Sequence, residues 1–72
     1  MSKLGRNIRL KRKAKGLKQK ELAELAQISC STLCDIEKGR INPSILSLQR
    51  IARVLEEPIS LILDYEPEND ER

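Results

Sequence analysis

Nearly every large apolar residue in this 72-residue chain is Leu or Ile, eleven and eight of them, set at helical spacing. Val and Thr occur once each and no run alternates apolar with polar residues, so strand signals are missing. Gly, Pro and Ser cut the pattern into short pieces. Gly16 and Gly39 stand where left-handed residues would end helices, and Ser29 and Ser44 where a hydroxyl would cap the next one. The spacing predicts helices over residues 3–15, 19–26, 30–38 and 44–55, with a last short helix over 59–63 after Pro58. Five short helices on brief connections make a compact all-α domain. That domain is expected to span residues 1–65, followed by an acidic stretch, 66–72, expected to be disordered.

Composition narrows the chemistry. His, Phe and Trp are absent and Tyr65 is the one aromatic residue. No imidazole is therefore available as a base, in a triad or as a zinc ligand, and an enzyme is not expected. Cys30 and Cys34 lie four apart on a predicted helix, a poor disulfide spacing and too few ligands for a metal site. No cofactor is implied. No stretch reaches the roughly 20 apolar residues of a membrane span, and the first residues show no signal-peptide pattern. A reduced, cytoplasmic protein is the expectation.

The net charge of +3 hides a strong asymmetry. Residues 1–20 carry nine of the fourteen Lys and Arg and no acid. Residues 64–72 carry five acids (Asp64, Glu66, Glu68, Asp70 and Glu71) and one base, Arg72. Residues 1–63 thus stand at +7 and the tail at −4. A compact basic body points toward a polyanion, although a solvated charged surface fits the same numbers.

Residues 17–39 are the informative segment. Two short predicted helices flank a tight turn. Leu22, Ala23, Leu25 and Ala26 form the apolar side of the first, Ala23 is small where the two must approach, Ile28 fills the corner, and Leu33 and Ile36 anchor the second of the pair. Its outer face, Cys30, Ser31, Cys34, Asp35 and Lys38, stays free. With Ile8-Arg9, Lys15-Gly16-Leu17, Gln19, Glu21-Leu22-Ala23, Ile28-Ser29, Ile36-Glu37-Lys38-Gly39, Asn42-Pro43-Ser44, Leu48, Ile51-Ala52, Leu55, Pro58 and Ile62-Leu63, the chain resembles the lambda-repressor-like, Cro/cI-type (XRE-type) helix-turn-helix domain over about residues 4–63.

That resemblance implies a five-helix domain that binds double-stranded DNA, usually as a homodimeric repressor on a roughly palindromic operator. It implies base reading by Cys30, Ser31 and Asp35, with Cys34 beside them. It implies phosphate contacts from Gln19, with Lys38, Arg40 and Asn42 near the backbone, and an interior ion pair between Arg12 and Glu37. Ser29, at a helix N-terminus, is a further phosphate candidate, because free N–H groups there favour an anion. Asp35 suits cytosine N4, Ser31 either kind of base edge, and the thiols a thymine methyl. The apolar run 59–63 exceeds what one short helix can bury, so Ile59, Leu61 and Tyr65 are expected in a two-fold interface. No small-molecule effector is implied.

Four positions depart from the family pattern. Gln27 stands at a turn position where Gly is frequent, Glu56-Glu57 replaces the frequent Gly followed by an aliphatic residue, and Lys11 stands where many members have Leu. Two other readings stay open: a protein-interaction module, such as an antitoxin or coactivator-like bridging domain, and a restriction-modification controller. The Cys30 and Cys34 thiols are read either as small helix-face residues or as an oxidation-sensitive pair.

Overall fold

A computed structural model describes residues 3–59 and Ile62. Four helices follow one another: α1 (Lys3–Ala14), α2 (Gln19–Leu25), α3 (Cys30–Lys38) and α4 (Ile45–Leu55). Every regular element among the described residues is helical. The count is four rather than the expected five. Of the last helix, Ile59 and Ile62 are helical, and the Ile62 amide donates to the Pro58 carbonyl at 3.3 Å. Ser60, Leu61, Leu63, Tyr65 and the acidic stretch 66–72 lie outside the described residues.

The helices start on side-chain caps and end on one repeated backbone motif. Ser29 accepts the Thr32 amide at 3.0 Å and Ser44 accepts the Ser47 amide at 3.1 Å, each filling a donor that the first turn leaves open. At the start of α2 the Glu21 carboxylate reaches back to the Lys18 amide at 2.8 Å. All four helices close with a left-handed residue whose amide, and that of its successor, turn back onto the last carbonyls. The left-handed residues are Gly16 (φ 73°), Gln27 (φ 62°), Gly39 (φ 79°) and Glu56 (φ 59°). Gly is the ordinary occupant. Gln27 and Glu56 adopt the same geometry with a Cβ present, which costs each on the order of 1 kcal/mol.

Inside, Ile8, Leu22, Leu33, Ile36, Ile51, Leu55 and Ile62 are almost fully enclosed. Each contributes about 1.5–3 kcal/mol through burial. Ala23, Ala26 and Ala52 are buried where helices come close. Gly5 has a similar role on α1: a Cβ there would overlap the carbonyl oxygens of Ile36 and Glu37, so its absence lets α1 lie directly on the end of α3. Asn7 is buried and its amide donates to the Ile62 carbonyl at 2.8 Å, tying the chain after α4 back to α1.

Two apolar assignments change. Leu25, grouped by spacing with the inner side of α2, is 60% exposed. It sits in the last turn of a seven-residue helix whose buried side there is taken by Leu22, Ala23 and Ala26. Ile59, expected at a two-fold interface, is half-buried and packs against the core of its own domain. Lys11, where the family pattern favours Leu, does not thin the core side of α1 as a bare charge. Its ammonium lies 3.7 Å from Glu57, and Lys15 lies 3.1 Å from Glu56, one turn further on.

Replacing Glu56 with Gly should relieve the left-handed strain and lose only an exposed ion pair worth little. A gain of about 0.5–1 kcal/mol is expected, seen as a rise of several degrees in the thermal midpoint of a domain this size. An unchanged or lower midpoint would contradict the strain assignment.

Candidate nucleic-acid interface

The segment from α2 to α3 is held from both sides. Ala23 and Leu22 bury one face of α2, and Leu33 and Ile36 bury one face of α3. Between them the Ile28 amide donates to the Ala23 carbonyl at 2.9 Å, and the Ile28 side chain packs half-buried at the corner. This fixes the angle between the two helices and leaves the opposite face of α3 outside. Cys30, Ser31 and Lys38 are exposed there, and Cys34 and Asp35 are half-exposed. These side chains are short apart from Lys38, so the α3 backbone can approach a partner closely.

Beneath that face lies a buried polar junction. The Arg12 Nε donates to Glu37 Oε2 at 2.8 Å and its Nη2 to Glu37 Oε1 at 3.3 Å, a two-pronged contact. The Arg12 Nη1 donates to the Leu17 carbonyl at 2.9 Å. Gln19 adds a fourth bond, its Nε2 donating to Glu37 Oε1 at 3.1 Å. Its own Oε1 faces the Cys30 thiol at 3.8 Å. The end of α1, the start of α2 and both ends of α3 therefore meet through one set of bonds.

This alters how several expected contact residues are disposed. The Gln19 side chain, expected to reach outward to a phosphate, is turned inward onto Glu37 and Cys30. The Ser29 hydroxyl is engaged in capping, accepting from the Thr32 amide and donating to the Thr32 hydroxyl at 2.7 Å. What remains outward at both places is the first turn of a helix, whose amide dipoles favour an anion. Asp35 carries the Arg40 guanidinium at 3.6 Å, both groups well hydrated. Lys38, Arg40 and Asn42 are exposed just beyond α3. Cys30 and Cys34 are free thiols.

The structure adds Lys13, which the sequence reading passed over. Arg9 and Lys13 of α1 line one open cleft with Gln19, Cys34 and Lys38, directly beside the α3 face. Their i, i+4 spacing was visible, but nothing in it said which side of α1 would meet α3. Among the described residues no group of three or more His, Cys, Asp or Glu is placed to hold a metal ion. No helix among them is long and apolar enough to cross a membrane.

Removing one partner of the Arg12–Glu37 pair would leave a buried charge without its counter-ion. A Glu37→Ala variant is expected to lose about 3–5 kcal/mol of stability, a large part of what a domain this small has. Chemical denaturation checks this, and an unchanged midpoint would contradict the burial of the pair.

Comparison with known proteins agrees with this geometry. Residues 8–62 match the family described as Helix-turn-helix. The immunity repressor protein of Bacillus phage phi105 is 41% identical over 63 residues, covering 88% of this chain and 44% of that repressor. The chain thus spans less than half the length of that relative. The N-terminal DNA-binding domain of SinR from Bacillus subtilis superposes with a TM-score of 0.85 at 38% identity, covering 90% of this chain and 96% of that one. SinR solved in complex with DNA gives 0.82 at 39% identity, covering 85% and 98%. The restriction-modification controller C.AhdI from Aeromonas hydrophila gives 0.81 at 32%, covering 83% and 91%. The buried faces of α2 and α3, the capped turn between them and the match over residues 8–62 make this chain a member of the XRE-type helix-turn-helix family.

Proposed function

We propose that the chain is a DNA-binding transcriptional regulator, most simply a repressor, that lays α3 in the major groove of double-stranded DNA. The observation that carries this reading is the α3 face itself: short polar and thiol side chains on a rigidly held helix, with cations on both flanks. SinR, similar over 85% of this chain, has been solved in complex with DNA.

In this reading Cys30, Ser31, Cys34 and Asp35 meet base edges, and Lys38, Arg40 and Asn42 lie along the phosphates. The first turns of α2 and α3, at Gln19 and Ser29, offer amide groups to phosphate oxygens, and Gln19 acts chiefly by steadying Cys30 and Glu37. Arg9 and Lys13 add cationic reach beside α3. The face has no Arg, Asn or Gln aimed at bases, so discrimination per half-site is modest and DNA shape carries more of it. A homodimer then supplies the rest, placing two α3 helices about one helical turn apart on a roughly palindromic operator. Ile59 and Leu61 are the proposed contact residues between copies, with Ile59 offering only the part of its surface that its own core leaves open; Tyr65, expected beside them from the sequence, is left to its own domain. The protein acts in the cytoplasm without cofactor or effector, and not as an enzyme. A restriction-modification controller is the narrower second reading, favoured by the match to 91% of the C.AhdI chain.

Lys38→Ala should weaken binding to all sequences alike and lower the slope of affinity against salt by about one charge. A Ser31→Ala/Asp35→Ala double variant should instead change preference at particular base pairs, by about 1–3 kcal/mol each. Competition binding with single-base operator variants distinguishes them. A double variant that keeps the original preference would show that α3 is not read in this register.

A further inference from the structure

The outer face of α1 carries a second cationic surface. Arg6, Leu10 and Lys13 follow one another at i, i+4 and i+7, and with Arg9 they line an open groove. Leu10 is 49% exposed at its centre, an apolar side chain ringed by three cations. The ion pairs among the described residues engage Lys11, Arg12, Lys15 and Arg40, and none involves Arg6, Arg9 or Lys13. A neighbouring groove formed by Asn7, Leu10, Lys11 and Ala14 shares Leu10 with the first, so the two surfaces are continuous.

The described chain leads directly to this surface. Asn7 lines the second groove and holds the Ile62 carbonyl at 2.8 Å. The residues that follow Ile62 therefore start from the flank of α1, one turn from Leu10. They include the densest run of acid in the sequence: five carboxylates within residues 64–71, together with Tyr65, the one aromatic ring. Eight extended residues reach up to about 26 Å. The groove from Asn7 to Lys13 runs about 9 Å along the helix, so reach does not limit the contact.

We propose that the outer face of α1 is a docking surface for an acidic, extended peptide segment, and that its occupant is this chain's own residues 64–71. The carboxylates face Arg6, Arg9 and Lys13, and the Tyr65 ring covers Leu10. Docking is electrostatic in its reach and apolar at its centre, so salt weakens it without abolishing the ring contact at once. Arg9 belongs both to this groove and to the cleft beside α3. A segment held here therefore competes with any other anion for that one cation.

Because Tyr65 is the one ring, its shielding of nearby methyl groups reports the contact in the intact 72-residue chain without DNA. Methyl and amide spectra are compared for the native chain, for Tyr65→Leu, and for a variant with Glu66, Glu68, Asp70 and Glu71 changed to their amides. The expected result is an upfield-shifted Leu10 methyl that moves to its ordinary position in Tyr65→Leu. In the charge variant, shifts should be confined to α1 around Arg6, Arg9 and Lys13, and independent of protein concentration. Ordinary Leu10 shifts in the native chain would overturn the proposal. So would changes centred on α3, or changes that vanish on dilution, which would place the tail on a second copy. Since no step uses DNA, loss of the proposed DNA binding would leave this result standing, and the reverse also holds.

Discussion

Arg12 and Glu37 are the two charged side chains buried among the described residues. Taking them out of water costs several kcal/mol for each, and replacing such a pair with apolar residues is often neutral or favourable. The bond set around them shows what they add. Arg12 holds the Leu17 carbonyl as well as Glu37, and Glu37 holds Gln19 as well as Arg12. One fork thus ties the end of α1, the connection to α2 and the last turn of α3. Burial of Leu33 and Ile36 already sets which face of α3 lies outside, and the fork at Glu37 adds a directional bond that narrows the rotation of α3 about its own axis. That rotation decides whether Ser31 and Asp35 or their neighbours face outward, and any role of α3 as a reader depends on it.

Around that junction the chain is built from repeated local devices. Each helix ends in the same left-handed turn, and each connection is short enough that the next helix has little choice of direction. Gly5 lets α1 close onto the carbonyls that end α3, next to the ion pair. Departures from the family pattern find partners across the fold. Lys11 and Lys15, on one side of α1, meet Glu57 and Glu56 at the end of α4. Substitutions that look unrelated in sequence thus form a clasp between the first and fourth helices. Its pairs add little stability at moderate salt, but they give the half-buried Lys11 ammonium a counter-charge.

Much of this was legible because it rests on local rules. Gly16 and Gly39 marked helix ends, Ser29 and Ser44 marked starts, and the spacing of Leu22, Leu33, Ile36, Leu48, Ile51 and Leu55 marked the core. What was not legible depends on where helices lie relative to one another. Leu25 fits an inward stripe by spacing, yet Leu22, Ala23 and Ala26 take the buried side and leave it outside. Glu56 has no intrinsic preference for a left-handed turn, yet it adopts one with the same closing bonds as the other helix ends. Asn7 reads as a polar surface residue until the chain after α4 returns to take its hydrogen bond. Gln19 has the right type and position for a phosphate contact, and its bond to Glu37 could not be read from spacing. Ile45 and Leu46, 68% and 55% exposed, show the same limit, since an apolar residue at a helix start has no periodicity to place it.

The central claim is that α3, held in one rotation by the Arg12–Glu37 junction, reads base pairs. Selection of bound duplexes from a random library by the intact chain tests it most directly. The account predicts an enriched motif made of two inverted half-sites whose centres lie about 10–10.5 base pairs apart. Enrichment of no sequence, with binding that depends on salt alone, would contradict it.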